Sequence, residues 1–306
     1  MTGKADISDT ARAVYDELVE HGIDVPSRDN IQQFRQNLID GFSEFVDAQV
    51  TEFDGTIEQI EINGVSCRQI TPRGWSESSD PVIQYAYGGG YVSGSTYEDQ
   101  SITLPLATAA NARVVMVDYR LSPEHPYPAA QLDMQAVYPA LLETYGAERL
   151  IISGESAGGN QAVGLVQHVL NRNWPVPACL VVMSPWIDLT HGGDSHDCNN
   201  PRDPTLNNAW VLSAAEMHAN GHPLDDTGIS PIFGSFADFP PTLITTGSCD
   251  LLLSHCLRLA RKLHDAEVEC DLRVWEGMWH VFEFYPIPEA PKSIAEMAEF
   301  IHCHLS

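Results

Sequence analysis

The sequence predicts an α/β fold, a mostly parallel eight-stranded sheet with helices on both faces and a helical cap, and three observations carry that expectation. From Pro81 onward, short β-rich runs alternate with helical spans, and strand–helix–strand repetition means a parallel sheet covered on both sides. Ahead of that alternation, two β-type runs flank Asn63-Gly64, a pair that supplies the positive φ values of a two-residue hairpin turn. One long stretch, 190–239, then interrupts the alternation without a strand of its own. Rich in Gly, Asp, Asn, Pro and His, it reads as an insertion lying over a site.

In chain order, helices are expected over 11–19, with Val14, Leu18 and Val19 on one face, and over 31–46, with Ile31, Phe34, Leu38 and Phe45 on one face. Pro26-Ser27 breaks the chain between them. The hairpin strands are 57–62 and 65–70; further strands follow at 82–86, 113–119, 150–153, 179–183, 243–246 and 269–275. Helices are placed at 101–110, from Ala129, from Ala157, at 251–266 and at 293–304, with one helical piece at 212–218 inside the insertion. The chain therefore divides into N-terminal cap helices (1–50), a first part of the core (51–189), a cap insertion (190–238) and a second part of the core (239–306). Neither an internal repeat nor a low-complexity segment is present.

A chain of 306 residues with 43% hydrophobic content has the length and apolar share of a folded α/β protein. Its 42 acidic residues against 16 Lys plus Arg give a formal charge of −26, with lysine only at Lys4, Lys262 and Lys292. That field repels nucleic acid and anionic membranes, so neither is an expected partner. No window approaches the roughly 18 uninterrupted apolar residues of a membrane span, and the start lacks the features of a secretory leader, so the expected location is the cytoplasm. Seven cysteines, Cys67, Cys179, Cys198, Cys249, Cys256, Cys270 and Cys303, form an odd set with no Cys-x-x-Cys pair, which fits free thiols in a reducing compartment. No cation stands beside Cys249 in the sequence, so it reads as a buried structural thiol.

The candidate chemistry centres on Gly154-Glu155-Ser156-Ala157-Gly158, which follows the β-run Leu150-Ile-Ile-Ser and opens a helical span. A serine on so sharp a strand-to-helix turn has strained backbone, and side chains at Gly154 or Gly158 would strike the neighbouring strand or helix. A serine hydroxyl is a weak nucleophile, so it needs a base, and the base needs an orienting acid. Asp250, after the run Leu243-Ile-Thr-Thr-Gly247, and His280, just past the last strand, stand in the order Ser, Asp, His. Asp250 is also well placed to cap the helix that starts beside it, and His280 to be a satisfied loop histidine. Gly88-Gly89-Gly90, after the third strand, offers backbone N–H groups unobstructed by Cβ, and Ala157 offers another at its helix start. These are candidate donors to a developing oxyanion.

Five blocks together resemble the hormone-sensitive-lipase-like family of α/β-hydrolases: Tyr87-Gly-Gly-Gly-Tyr-Val-Ser-Gly-Ser95, Asp118-Tyr-Arg-Leu-Ser-Pro-Glu-His-Pro-Tyr-Pro-Ala-Ala130, Gly154-Glu-Ser-Ala-Gly-Gly159, Ser184-Pro-Trp-Ile-Asp-Leu-Thr190 and Gly277-Met-Trp-His280. The resemblance runs from about Pro81 to the C-terminus. It implies an α/β-hydrolase fold and a cofactor-free carboxylic-ester hydrolase acting on short- to medium-chain acyl esters, with a small-molecule ester as partner; a homodimer is compatible with the resemblance, which does not fix the oligomeric state. Carried over, it makes Ser156 the nucleophile, His280 the base and then acid, and Asp250 the residue that orients His280. It makes Gly89, Gly90 and Ala157 the oxyanion donors. Tyr87, Gly88, Tyr91 and Glu155 become candidate substrate contacts, and Arg120, Glu124 and Asp133 a structural ion-pair network. The family's His-Gly-Gly-Gly begins here with Tyr87, which bears on the loop's geometry, and its Asp-Pro-Leu reads Asp250-Leu-Leu, which retains the acid.

Other classes stay open at this stage. The same residues could serve a lactonase or thioesterase, or a non-catalytic, receptor-like binding protein on the same fold, a reading that Tyr87 keeps alive. His191, Asp194 and His196 suggest a metal hydrolase, but no ligand spacing recurs and a polar loop accounts for them, so no metal is expected.

Overall fold

Gly55–Ile62 (β1) and Val65–Pro72 (β2) form the expected hairpin, paired Ile57 to Ile70 and Ile62 to Val65, with φ of 51° at Asn63 and 81° at Gly64 closing the turn. The computed structural model describes residues 7–305; the six residues on which the absence of a leader was read lie outside that range. The remaining strands are Val82–Ala86 (β3), Arg113–Val117 (β4), Leu150–Glu155 (β5), Cys179–Met183 (β6), Thr242–Gly247 (β7) and Cys270–Trp275 (β8). They join one eight-stranded sheet in the order β1-β2-β4-β3-β5-β6-β7-β8, antiparallel at β1–β2 and β2–β4 and parallel elsewhere. The central strands read as unbroken apolar runs because both of their faces are covered.

The helices that matter here are Asp9–His21 (α1), Ile31–Glu52 (α2), Gln100–Ala110 (α3), Ala129–Tyr145 (α4), Ala157–Asn171 (α5), Ser195–Cys198 (α6), Asn208–Ala219 (α7), Leu253–Asp265 (α8) and Ala290–Cys303 (α9). Successive residues of β3 show that they cover both faces, because neighbours on a strand point opposite ways. Gln84 donates to the Met134 carbonyl of α4 at 2.9 Å, whereas the Tyr85 hydroxyl donates to Asp99, just ahead of α3, at 2.9 Å. The sheet thus presents the carboxyl ends of its parallel strands on one edge, where the loops after β3, β5, β7 and β8 meet.

Element boundaries moved where turns decided them. β4 stops at Val117 instead of running to Tyr119, and β5 runs through Glu155, so the strand delivers the chain directly into Ser156. The helical piece of the insertion is longer than its apolar pattern, because the Asn207 side chain accepts the Trp210 N–H at 2.9 Å and starts α7 early. The insertion meets the N-terminal helices: the rings of Phe34 in α2 and Trp210 in α7 lie 6.4 Å apart, and Ser213 donates to the Pro26 carbonyl at 2.6 Å.

Two charge expectations change. Arg120 and Asp133 form a forked pair at 2.8–3.2 Å, but Glu124 turns away from them and pairs with Arg35 of α2 at 2.8 Å. The fold brings α2 across that loop, a proximity no local pattern carries. Likewise Cys249 is buried but not free of cations: Arg202, distant in sequence, donates to its sulfur at 3.1 Å. No cysteine is paired with another. Among the described residues no helix is long and apolar enough to cross a membrane.

Candidate active site

The turn from β5 into α5 forces Ser156 to φ 53° and ψ −118°, a conformation that L residues avoid unless their surroundings over-determine it. Backbone bonds do so here: Ser156 N–H donates to the Met183 carbonyl at 2.9 Å, and its own carbonyl accepts from Trp186 at 2.8 Å and Asn160 at 3.1 Å. The flanking glycines are steric necessities. A Cβ on Gly158 would overlap the Ala86 carbonyl of β3, and one on Gly154 would overlap the Gly158 carbonyl.

Against this serine the fold brings the two residues expected from sequence. Ser156 Oγ lies 2.9 Å from His280 Nε2, and His280 Nδ1 lies 3.1 Å from Asp250 Oδ1. Asp250 is wholly buried and also accepts from Thr246 Oγ1 at 2.8 Å and Leu252 N–H at 2.7 Å. The second bond closes a local turn at Leu252, the residue that caps α8; Asp250 is therefore not the cap of that helix, which has no side-chain cap bond. Ser156 is 7% exposed, so little of the residue meets solvent.

Sequence reasoning missed a second carboxylate. Asp203, from the insertion, is buried here with Oδ2 accepting from Leu251 N–H at 2.8 Å and from the His280 backbone N–H at 3.3 Å. No local motif marks it. Burial alone would strip the His280 proton, yet Asp250, Asp203 and Glu155 outweigh it and hold the imidazole up to about 9. Burial opposes charge on Asp250 too, but His280 and its hydrogen bonds pull that carboxyl below its ordinary value. Burial and then Asp250 push Asp203 up to about 6, and burial raises Glu155 and Glu283 to about 7.

Gly89 and Gly90 adopt φ of 86° and 62°, which suits residues without Cβ. Gly89 faces the Ser93 carbonyl, and Gly90 lies under the Trp210 ring of α7, 2.5 Å from where its Cβ would stand. Among the described residues their amides donate to no protein acceptor, and Ala157, first in its helix, has no intrahelical one. All three are therefore available to a ligand oxygen.

The four expected substrate contacts fare differently. Tyr87 is buried, stacked on Tyr119 at 4.2 Å, and donates to the Tyr119 carbonyl at 3.0 Å, while the Tyr119 hydroxyl returns a bond to the Tyr87 carbonyl at 2.7 Å. Tyr91 is buried, stacked on His218 at 3.7 Å, and donates to Asn160 at 2.6 Å. Glu155 is buried with its carboxylate filling the space beside Gly88. All four are buried and pack around the glycine loop, the two tyrosines in their aromatic stacks and the Glu155 carboxylate against Gly88. The histidines of the insertion form a separate cluster, with His196 Nε2 3.1 Å from His255 Nε2. Among the described residues no group of three or more His, Cys, Asp or Glu is arranged to hold a metal ion.

A strained serine between β5 and α5, a histidine past the last strand and an acid after β7 define a class, and the family model of the alpha/beta hydrolase fold matches residues 83–284: the chain belongs to that family. Its hormone-sensitive-lipase-like branch is the one reached by the solved structures. An esterase from the bacterial hormone-sensitive lipase family superposes with a TM-score of 0.88 at 31% identity, covering 98% of this chain and 99% of its own. In sequence, an esterase of Acinetobacter venetianus is 32% identical over 249 residues, 80% of this chain and 81% of its own length. An acetyl-hydrolase of Streptomyces hygroscopicus is 34% identical over 226 residues, 72% and 74% of the two chains.

Proposed function

We propose that this chain hydrolyses short- to medium-chain carboxylic esters through an acyl-enzyme, with Ser156 as nucleophile, His280 as base and then acid, and Asp250 as the orienting carboxylate. The chain is an enzyme of the ester-hydrolase, carboxylesterase class, as its relatives are. The observation that carries the mechanism is the relay itself: 2.9 Å from Ser156 Oγ to His280 Nε2 and 3.1 Å from His280 Nδ1 to Asp250. As Oγ attacks the ester carbonyl, its proton passes to Nε2, and Asp250 stabilises the imidazolium that results. The amides of Gly89, Gly90 and Ala157 receive the carbonyl oxygen as it gains charge. The alcohol leaves with the proton from Nε2; a water then gives a proton to Nε2 as it attacks the acyl carbonyl, and Nε2 passes that proton to Ser156 Oγ as the C–Oγ bond breaks and the acid is released.

We read the described residues 7–50, together with 190–238, as a two-part cap, supported by the contacts of Phe34 with Trp210 and of Ser213 with Pro26. Trp210 packed against Gly90 and the low exposure of Ser156 support a restricted acyl pocket, and the acetyl-hydrolase relative points the same way. Ser156→Ala is expected to lower turnover of p-nitrophenyl acetate and butyrate by about 10⁴-fold or more with an unchanged melting temperature. Undiminished turnover would remove the mechanism.

A further inference from the structure

Asp203 stands outside the three reacting side chains, yet it grips two of the loops that carry them. Its Oδ2 takes N–H bonds from Leu251, beside Asp250, at 2.8 Å and from His280 itself at 3.3 Å. Its Oδ1 takes three more, from Thr205 N–H at 3.0 Å, Thr205 Oγ1 at 2.9 Å and Leu206 N–H at 3.1 Å. Four of these five partners are backbone N–H groups, which can only donate, and the ionised carboxylate satisfies all four; the Thr205 hydroxyl is the one partner that could instead accept. The His280 carbonyl lies 3.5 Å from Thr205 Oγ1, a more distant second acceptor for the same hydroxyl proton, so this segment borders both backbone polar groups of His280. The same segment is tied to the acid loop: Asn199 Nδ2 donates to the Asp250 carbonyl at 2.8 Å and to that of Ser248 at 3.2 Å.

We infer that Asp203 is a positioning residue for His280: from the insertion, it fixes the backbone of the base relative to Asp250 and adds a second negative charge behind the imidazolium that forms during turnover. The inference rests on the triad reading above. It makes the insertion part of the machinery as well as a cover, because the base is correctly aimed only when the 199–206 segment is docked on the core. The charged and titratable groups that act on His280 are Asp250 at its Nδ1, Asp203 at its N–H, and the buried Glu155 and Glu283. Three of the four are on the core; Asp203 alone comes from the insertion.

The test is Asp203→Asn, which keeps the shape but sets an NH₂ group against one pair of donors and removes the charge. With active sites counted by a fluorophosphonate probe, kcat for p-nitrophenyl butyrate is expected to fall on the order of 10- to 100-fold with KM within about twofold. The acid limb of kcat/KM is expected to move to lower pH, because one of the charges holding the proton on His280 is gone. A merely structural role would lower the melting temperature while leaving kcat per titrated site and the limb unmoved, and that result overturns the inference. Asp203→Ser, which leaves room for water among the donors, is read in the same way if the Asn variant does not fold. Failure of both to fold would overturn it too, by assigning Asp203 to holding the insertion on the core. Ser156→Ala separates the two readings: an active Ser156→Ala removes the triad itself, whereas an inactive Ser156→Ala beside an unaffected Asp203→Asn removes only the role of Asp203.

Discussion

Ser156 and His280 meet at 2.9 Å but depend on different constraints. The serine's turn, with a φ of 53° held by backbone bonds to Met183 and Trp186, exists only because the flanking glycines leave room for the Ala86 carbonyl of β3 and the start of α5. The histidine hangs on a loop whose position is a sum of hydrogen bonds to Asp250, Asp203, Thr205 and, through Val281 N–H, Ser184 at 3.3 Å. A steric constraint fails all at once, because backbone atoms cannot be moved aside, whereas a hydrogen-bonded loop degrades one bond at a time. The two sides of one reacting pair should therefore respond to mutation very differently.

The largest effect is expected on the steric side. Gly158→Ala drives a methyl group into the Ala86 and Tyr87 carbonyls, which belong to β3 and the glycine loop and have no free rotamer to yield. We expect a cost of about 3 kcal/mol or more and loss of p-nitrophenyl butyrate turnover, read from thermal melts and assays on whatever soluble protein is obtained. A variant that melts and works like the parent would break the contrast.

On the hydrogen-bonded side the response is graded and depends on pH. His280 must be neutral to take the serine proton, and its carboxylate neighbours hold its proton up to about 9. In the free enzyme kcat/KM should therefore climb about tenfold per pH unit below about 9 and then level off. A profile already flat at neutral pH would mean that the surrounding carboxylates do not bear on the imidazole as described. The smallest effect belongs to the loop that both regions share. Tyr87→Phe removes one bond, the 3.0 Å donation to the Tyr119 carbonyl, while the ring stack at 4.2 Å stays. About 1 kcal/mol of stability should be lost, and kcat should stay within about threefold, by melting and steady-state assay. A large loss of kcat would show that the hydroxyl tunes the donors directly.

The same division explains how much could be read from residue order. The strands were legible because buried parallel strands are continuous apolar runs and Asn63-Gly64 encodes its own turn; the ends of β4 and β5 were not, since a strand stops where its partner stops. Tyr87 and Tyr91 were recognisable as members of their block, but their burial was not legible, because it depends on stacks with Tyr119 and His218, rings that come from other parts of the chain.

Residue order alone determined the α/β layering and marked the strained serine, because hydrophobic period and a Gly-x-Ser-x-Gly turn between strand and helix are written in neighbouring residues, although the carbonyls that the glycines clear come from β3 and the loop after it. It also held Asp250 and His280 in recognisable places after their strands. Tertiary structure alone decided that Asp203 grips the base, that Arg35 takes Glu124, that Arg202 lies on Cys249 and that Trp210 roofs Gly90. Each of these joins segments far apart in the chain, and the partner of a buried charge or ring is set by which surfaces the fold brings together, which no spacing along the backbone specifies.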